Sequence, residues 1–243
     1  MQKETWSWNS ARLSAPARLA RWGHFGTPLL LFPTAGGDFE EVERFGLLQS
    51  VRGLVDAGRI KVFSVDGFAA KTWLRGTHSS AWCTEQQSLF EECLYEEMVP
   101  LIRRDCHSES IEIVTAGAAI GAFNAVTMLC RHPDVFRAAI ALSGIFDLSR
   151  YVQGDCTASR SATPLHFLHT MDDGPQLDRL RSRFIQIATG EGAYEEPEHS
   201  RRLADTLSAR AIPSHLDLWG HRYPHAWATW REMLPKYAQA LTA

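Results

Sequence analysis

The segment 117–121, with the sequence GAAIG, has the spacing of a nucleophile elbow but lacks the nucleophile. In the G-x-S-x-G form of this turn, a serine occupies a strained backbone position between a strand and a helix, and its hydroxyl attacks an acyl carbonyl. Ala119 occupies the serine position here. Its methyl group cannot attack, so the motif predicts an acyl-transfer site without the attacking atom. A small-residue turn in any parallel sheet is the alternative interpretation.

The flanking residues have the patterns of the strand and the helix that an elbow needs. An apolar run over 111–115 predicts a strand, and an amphipathic run over 120–130 predicts a helix. Similar apolar runs predict further strands over 28–32, 60–65, 138–142, 184–189 and 215–219. Strands that alternate with helices predict a mainly parallel central sheet with helices on both faces.

Two further signals concern the beginning of the chain and the longest helix. The segments SWNSARL and PARLARWG alternate imperfectly and predict a two-stranded hairpin. The sequence TEQQ at Thr84 has the form of a capping box, and apolar residues then recur at helical spacing as far as Ile102. We therefore expect a long helix that begins at Thr84.

Four loops that follow predicted strands have a content suited to chemistry. Ligands of doubly wound sheets collect at the carboxyl ends of the strands, where we expect PTAGGD, GAAIG, GEGAYEE and GHRYPH. In chain order, the last three supply the nucleophile position, carboxylates and a histidine. This is the order of serine, acid and histidine in an α/β-hydrolase, so we predict that fold.

Composition narrows the class of protein and of partner. The chain has 243 residues, 45% of them hydrophobic, which suits one sizeable core and a single domain. The 25 Lys and Arg nearly balance the 28 Asp and Glu, and neither sign forms a block, which argues against nucleic acid or an anionic membrane surface. No secretory signal, spanning segment, disulfide framework or zinc cluster is indicated. We expect a cytoplasmic protein that needs no cofactor and binds a small molecule; a homo-oligomer is compatible with this composition.

The residues 144–182 are predicted to form a cap. They lie between core elements and lack a clear period, and a stretch of this length usually carries its own helices or forms a lid. Phe146 and Tyr151 from this segment, with Trp73 from an earlier loop, are candidates for the wall of a substrate pocket. Simple packing of these aromatic side chains against the core is at least as good an interpretation.

Several longer segments together resemble a known family. They are FPTAGGDFEEVERF, GAAIGAFNAV, RHPDVFRAAIALSG and WGHRYPHAWATWREML, and they resemble the Putative esterase family of α/β-hydrolases, which includes esterase-D-like serine hydrolases. The resemblance covers nearly the whole chain. It implies hydrolysis of carboxylic esters by a triad of serine, acid and histidine. Members carry G-A-S-x-G or G-C-S-x-G at the elbow, so Ala119 departs from the family at the atom that defines its activity.

The resemblance implies that His225 is the general base. It follows the last strand, and a histidine there can take the hydroxyl proton and return it to the leaving group. His221 is the rival, and we interpret it as a surface residue. A metal site built from both is disfavoured, because Pro224 interrupts a helix between them and no third ligand is evident.

The acid is a glutamate in this interpretation. Many members of the family have an aspartate where this chain has Ala193, which leaves Glu191, Glu195 and Glu196. Glu195 is favoured because the G-E-G-x-x-E arrangement resembles a variant within the family. The alternative is that the acidic residues form a solvated loop that caps the next helix.

Backbone amides would form the oxyanion hole. The N–H of Ile120, the residue after the nucleophile position, is one predicted donor, and an amide of Ala35 or Gly36 is the other. Such donors are each worth about 3 kcal/mol of the barrier. A plain tight turn would use the same glycines.

Three functional hypotheses follow. The first is a serine esterase inactivated by alanine at position 119. The second is a natural pseudoenzyme that uses the pocket for small-molecule binding, and the third is non-hydrolytic chemistry with His225 as the base. The first is preferred, because the remaining parts of the machinery are all present.

Overall fold

The computed structural model describes residues 1–67, 72–73, 76–152 and 157–242. Within them, one sheet of eight strands forms the centre of the molecule. In chain order the strands are β1 (Lys3–Ser10), β2 (Ala15–Trp22), β3 (Thr27–Phe32), β4 (Ile60–Val65), β5 (Ile113–Ala118), β6 (Phe136–Leu142), β7 (Phe184–Thr189) and β8 (Ser214–Leu218).

The spatial order of the strands is β1-β2-β4-β3-β5-β6-β7-β8. β1 pairs with β2, and β2 with β4, in antiparallel fashion, while all the pairs from β4 to β8 are parallel. The predicted amino-terminal hairpin and the mainly parallel sheet are therefore confirmed, and with them the α/β-hydrolase type of fold.

Helices connect the strands. Those described are α1 (Glu41–Arg44), α2 (Leu47–Ser50), α3 (Arg52–Asp56), α4 (Ser80–Cys93), α5 (Val99–Asp105), α6 (Ile120–Arg131), α7 (Thr157–Ala162), α8 (Pro164–Thr170), α9 (Pro175–Leu180), α10 (Pro197–Ala209) and α11 (Trp227–Leu241). A π-helical segment, Leu94–Met98, joins α4 to α5, and a 3₁₀ turn covers Ser149–Tyr151. Three of the helices, α7 to α9, fall within the predicted cap, 144–182.

The predicted start of the long helix was wrong by four residues. The helix begins at Ser80, and the hydroxyl of Ser79 caps it by accepting a hydrogen bond from the amide of Trp82. Thr84 lies inside the helix, where its hydroxyl donates to the carbonyl of Ala158. A tertiary contact has therefore taken the side chain that the local pattern assigned to a cap.

Two apolar clusters, one on each face of the sheet, form the core. Successive residues of a strand point to opposite faces, so Leu30 belongs to one cluster and Leu29 and Leu31 to the other. α6 packs in the first cluster and α11 in the second. The fully buried strands explain the continuous apolar runs in the sequence.

The register of the parallel strands brings their carboxyl ends to one edge. Ala118 pairs with Leu142, and Leu142 with Ala188, while Thr189 pairs with Leu218. The loops that follow β5 to β8 therefore leave the sheet side by side. Phe32 of β3 pairs with Gly117, so the PTAGGD loop starts beside the elbow.

Candidate active site

Ala119 has the strained backbone of a nucleophile elbow. It links β5 directly to α6 with φ 53° and ψ −120°, a positive φ that non-glycine residues rarely adopt. Its amide donates to the carbonyl of Leu142 at 3.0 Å, and its own carbonyl accepts from Ile145 at 3.3 Å and Ala122 at 3.2 Å. Hydrogen bonds to the end of β6, to the loop after β6 and to α6 therefore hold Ala119 in this conformation.

The two elbow glycines allow β5, α6 and β3 to approach one another closely. A methyl group on Gly117 would lie 2.3 Å from the backbone of Gly121, and one on Gly121 would lie 2.5 Å from the carbonyl oxygen of Phe32. Neither position has room for a side chain. The small residues in GAAIG therefore have a steric origin.

His225 and Glu195 form a contact at the same edge. His225 Nδ1 lies 3.3 Å from Glu195 Oε2, and the glutamate side chain is only 1% exposed, against 23% for the histidine. The His225 ring also meets Trp230 edge to face. Among the described residues, none forms a hydrogen bond with His225 Nε2. The contact with Glu195 favours the tautomer with the proton on Nδ1. In that tautomer Nε2 presents a lone pair and can accept a proton.

Glu195 is held ionised by hydrogen bonds in an otherwise apolar setting. Burial alone would raise its pKa, but hydrogen bonds from His225, Ser143 and Thr189 outweigh burial and leave the pKa below its usual range. The Ser143 hydroxyl donates to Oε1 at 2.6 Å and accepts from Trp230 Nε1 at 3.0 Å. Ser143 therefore orients the carboxylate that faces the histidine.

The alternative acids and the alternative base are engaged elsewhere. Glu191 pairs with Arg201, and Glu196 lies 3.1 Å from His199 Nε2. His221 is exposed, and its Nδ1 lies 3.0 Å from the carbonyl oxygen of Glu191. Of the candidate pairs, the structure brings together His225 and Glu195.

The two loops that carry this pair are bonded to each other through their backbones. The amide of Gly192 donates to the carbonyl of Tyr223 at 3.1 Å, and the amide of His225 donates to the carbonyl of Ala193 at 2.9 Å. A methyl group on Gly190 would lie 1.9 Å from the Tyr223 carbonyl oxygen. Position 190 therefore needs glycine, because the Tyr223 carbonyl approaches the backbone there.

Three backbone amides at this edge are unused. Within the described chain, no acceptor is recorded for the N–H groups of Ile120, Ala35 or Gly36. Ile120 is the first residue of α6, where helical amides lack partners. Ala35 and Gly36 are the exposed central residues of a turn closed by the Gly37 amide on the Thr34 carbonyl, at 3.0 Å. These free donors are compatible with the predicted oxyanion hole.

The predicted pocket wall needs correction. Trp73 and Phe146 are both 0% exposed and belong to the core, and Trp73 Nε1 donates to Gln87 within it. Tyr151 is half-buried and packs against the same core cluster. Because both side chains are buried in the core, the assignment of Trp73 and Phe146 to the pocket wall was wrong. In the sequence, an aromatic residue in a loop looks the same whether it lines a pocket or packs in the core.

Other partly exposed apolar residues pack against the core cluster that includes the elbow. Ile145 and Trp227 pack against the cluster that contains Ala119 and Trp230.

Sequence reasoning also missed Ser143, which contacts Glu195. A polar residue directly after a buried strand, at the edge where the other candidates lie, was the available signal.

Other kinds of site have no support in the described residues. None of their helices combines the length and apolarity needed to cross a bilayer. Nor do the described His, Cys, Asp and Glu side chains form a group of three that could hold a metal ion.

Comparisons with known proteins agree with this architecture. A ferulic acid esterase structure matches at a TM-score of 0.77 and 14% identity, with 100% of this chain and 98% of the other covered. An S-formylglutathione hydrolase from Agrobacterium tumefaciens matches at 0.76 and 14%, with 99% and 94% covered. Mycobacterium tuberculosis MPT51 matches at 0.70 and 15%, with 100% and 98% covered. At these identities the likeness shows the fold alone.

Sequence comparison gives the family. No curated protein matches the chain. The model of the family described as Putative esterase matches residues 53–241, which include the elbow, Glu195 and His225. The chain therefore belongs to the Putative esterase family and has the scaffold of a carboxylic ester hydrolase.

Proposed function

We propose that this chain carries a serine-esterase site for small-molecule carboxylic esters from which the nucleophile alone is missing. The observation that carries the proposal is the elbow conformation of Ala119, φ 53° and ψ −120°, at the same sheet edge as the Glu195–His225 pair. A strained backbone conformation of this kind costs free energy of folding, and an alanine side chain at this position does no chemistry that would compensate for it. With alanine at position 119, the chain binds esters at this edge without forming an acyl-enzyme.

With serine at position 119, the remaining groups have defined roles. His225 Nε2 takes the hydroxyl proton as the oxygen attacks the ester carbonyl, and Glu195 stabilises the resulting imidazolium. The N–H groups of Ile120 and Ala35 or Gly36 bind the oxyanion. Collapse of the intermediate expels the alcohol, which receives the proton from His225, and water then hydrolyses the acyl-enzyme by the reverse sequence.

The proposal is tested by the variant Ala119→Ser. Removal of the nucleophile alone typically lowers kcat by about 10⁶, so the serine variant should hydrolyse short acyl esters orders of magnitude faster than the parent chain. It should also gain the mass of one fluorophosphonate less HF, because the activated serine oxygen bonds to phosphorus and displaces fluoride. The double variant Ala119→Ser, His225→Ala is the control and should lose both properties. A folded serine variant with neither property would refute the proposal.

A pseudoenzyme is the second candidate, and Ala119 itself favours it. Alanine there, together with Ala193 in the usual position of the acid, fits a pocket that only binds. The residue encoded at position 119 in the chromosomal gene separates the candidates: serine excludes the pseudoenzyme and alanine supports it.

Non-hydrolytic chemistry with His225 as the base is the third candidate. It would be indicated by turnover of the Ala119 chain that disappears in the variant His225→Ala.

The segment 144–182 is the proposed cap of this site. The segment directly follows Ser143, which donates a hydrogen bond to Glu195, and its second residue, Ile145, donates to the carbonyl of Ala119. The residues around Ile145 are therefore the first place in this segment to seek preferences for the acyl or alcohol group.

A further inference from the structure

A buried carboxylate lies beneath the loop that carries the predicted oxyanion donors. Glu41, in α1, is 4% exposed. Its Oε2 accepts a hydrogen bond from the Thr34 amide at 2.7 Å, and its Oε1 accepts one from the Thr34 hydroxyl at 2.7 Å. Both carboxylate oxygens thus contact a single residue, the one that precedes Ala35.

The same carboxylate fills the space under the turn. A methyl group built on Gly37 would lie between 2.4 and 2.5 Å from the Glu41 carboxyl carbon and both of its oxygens. Thr34 and Gly37 are the two ends of the turn, joined by the bond between the Gly37 amide and the Thr34 carbonyl. Glu41 therefore supports both ends, and the amides of Ala35 and Gly36 between them remain free.

The next part of the loop is held by a different pair of side chains, Arg18 and Asp66. Asp66 accepts a bidentate pair from Arg18 at 2.8 and 3.0 Å and a hydrogen bond from the Phe39 amide at 3.4 Å. Arg18 also lies 4.6 Å from the centre of the Phe39 ring. These contacts fix residue 39, whereas among the described residues the side chain that is hydrogen-bonded to Thr34 is that of Glu41.

We propose that Glu41 is a positioning residue for the oxyanion hole, which folds the turn 34–37 so that its central amides point to the carbonyl above position 119. The inference rests on the proposed function, and it adds a role that a carboxylate outside the triad performs through the backbone. Donors of an oxyanion hole act only if they are preorganised at the position of the developing charge.

Kinetics in the serine background form the first test. Displacing a donor by about 1 Å can lower the rate about 100-fold, so Glu41→Ala added to Ala119→Ser should lower kcat about 10- to 100-fold and change KM less than about twofold. Glu41→Gln keeps one acceptor and should recover part of kcat, and Thr34→Val should lower kcat by a smaller factor. The control is Glu43→Gln, an exposed glutamate of the same helix that pairs with Lys3. Unchanged kcat in Glu41→Ala, or an equal loss in the control, would overturn the inference.

A second test uses the Ala119 chain as it stands and needs no turnover. The Thr34 amide should exchange with solvent slowly in the parent chain and at least 10-fold faster in Glu41→Ala, whereas amides in β5 should keep their rates. Equal exchange of the Thr34 amide in both proteins would overturn the inference. If Ala119→Ser shows no activity while this exchange difference is observed, the proposed function fails and the role of Glu41 in folding the turn stands.

Discussion

Ser143 illustrates how much of the site depends on residues that do no chemistry themselves. It follows β6 with φ 47°, is 3% exposed, and connects Trp230 to Glu195 through one hydroxyl. Its amide also donates to the carbonyl of Ala188 at 2.7 Å. Its hydroxyl is hydrogen-bonded to both Glu195 and the Trp230 indole, so it couples the Glu195 carboxylate to α11.

Replacing Ser143 by alanine should cost both stability and activity. The buried indole N–H of Trp230 would lose its acceptor, which should lower the free energy of unfolding by about 1 to 3 kcal/mol. Denaturant unfolding measures this change, and Ser161→Ala, which removes an exposed hydroxyl bonded to its own helix, should change it by less than about 0.5 kcal/mol. In the serine background, loss of a hydrogen bond to Glu195 should raise the pKa of that carboxyl and shift the acid limb of kcat upward in pH. An unaltered acid limb would show that Ser143 does not tune the acid.

At the scale of elements, the acid and histidine loops act as one unit. Backbone hydrogen bonds join Glu191 to Gly220, Gly192 to Tyr223 and His225 to Ala193. The side-chain contact between Glu195 and His225 therefore follows from the pairing of two loops that are 30 residues apart in the chain. Glycines in one loop are the condition for that pairing.

The variant Gly190→Ala should separate the loops. Its methyl group would overlap the Tyr223 carbonyl, so the backbones must move apart and the Glu195–His225 contact must lengthen. We expect a loss of several °C in Tm and, in the serine background, a fall in kcat of about 100-fold, the effect of a displacement of about 1 Å. Gly53→Ala is the matched control: this helical glycine has no atom within 4 Å of the added methyl group, so it should be neutral or stabilising by about 0.5 to 1 kcal/mol. Equal Tm values for the two variants would contradict the argument.

Elements with continuous apolar runs were predicted well, because burial on both faces leaves a strong local signal. The strands over 60–65 and 184–189 have the predicted bounds. The start of α4 was not predicted, because Ser79 and Thr84 are both good caps by sequence and only the contact of Thr84 with Ala158 decides between them. Burial of Trp73 and Phe146 depends in the same way on distant elements.

At the scale of the molecule, strand order gathers the candidate residues although they are far apart in sequence. The predicted alternation of parallel strands with helices already implied that the loops after β5, β7 and β8 lie at one edge of the sheet, as they do. It could not show that Ser143, Glu41 and Trp230 would support them, because these contacts join elements 52 or more residues apart or lie within the folded loop itself. The positions of the candidate residues followed from topology, and the contacts that support them could be identified only from the coordinates.

Acid stability is a property of the whole molecule that the contacts of Asp147 predict. Burial alone would raise the pKa of Asp147, but hydrogen bonds from Ser149 and the Arg202 guanidinium outweigh it and lower the pKa to about 2. A carboxyl whose pKa is lower in the folded state than its unfolded value of about 3.9 adds stability above that value and loses it as the pH falls through the folded pKa. Asp147 joins the start of the predicted cap to α10, so its protonation should loosen the cap and reduce stability between about pH 4 and pH 2.

The measurement is the pH dependence of the free energy of unfolding for the parent chain and for Asp147→Asn. The variant should be less stable at neutral pH, and its curve should fall less steeply below about pH 4, because it has no proton to bind at this position. Asp205→Asn, which removes an exposed carboxylate from the same helix as Arg202, should leave the curve parallel to that of the parent. If all three curves ran parallel, the Asp147–Arg202 contact would be one of the surface ion pairs that contribute nothing measurable, and the cap would be anchored by its apolar contacts instead.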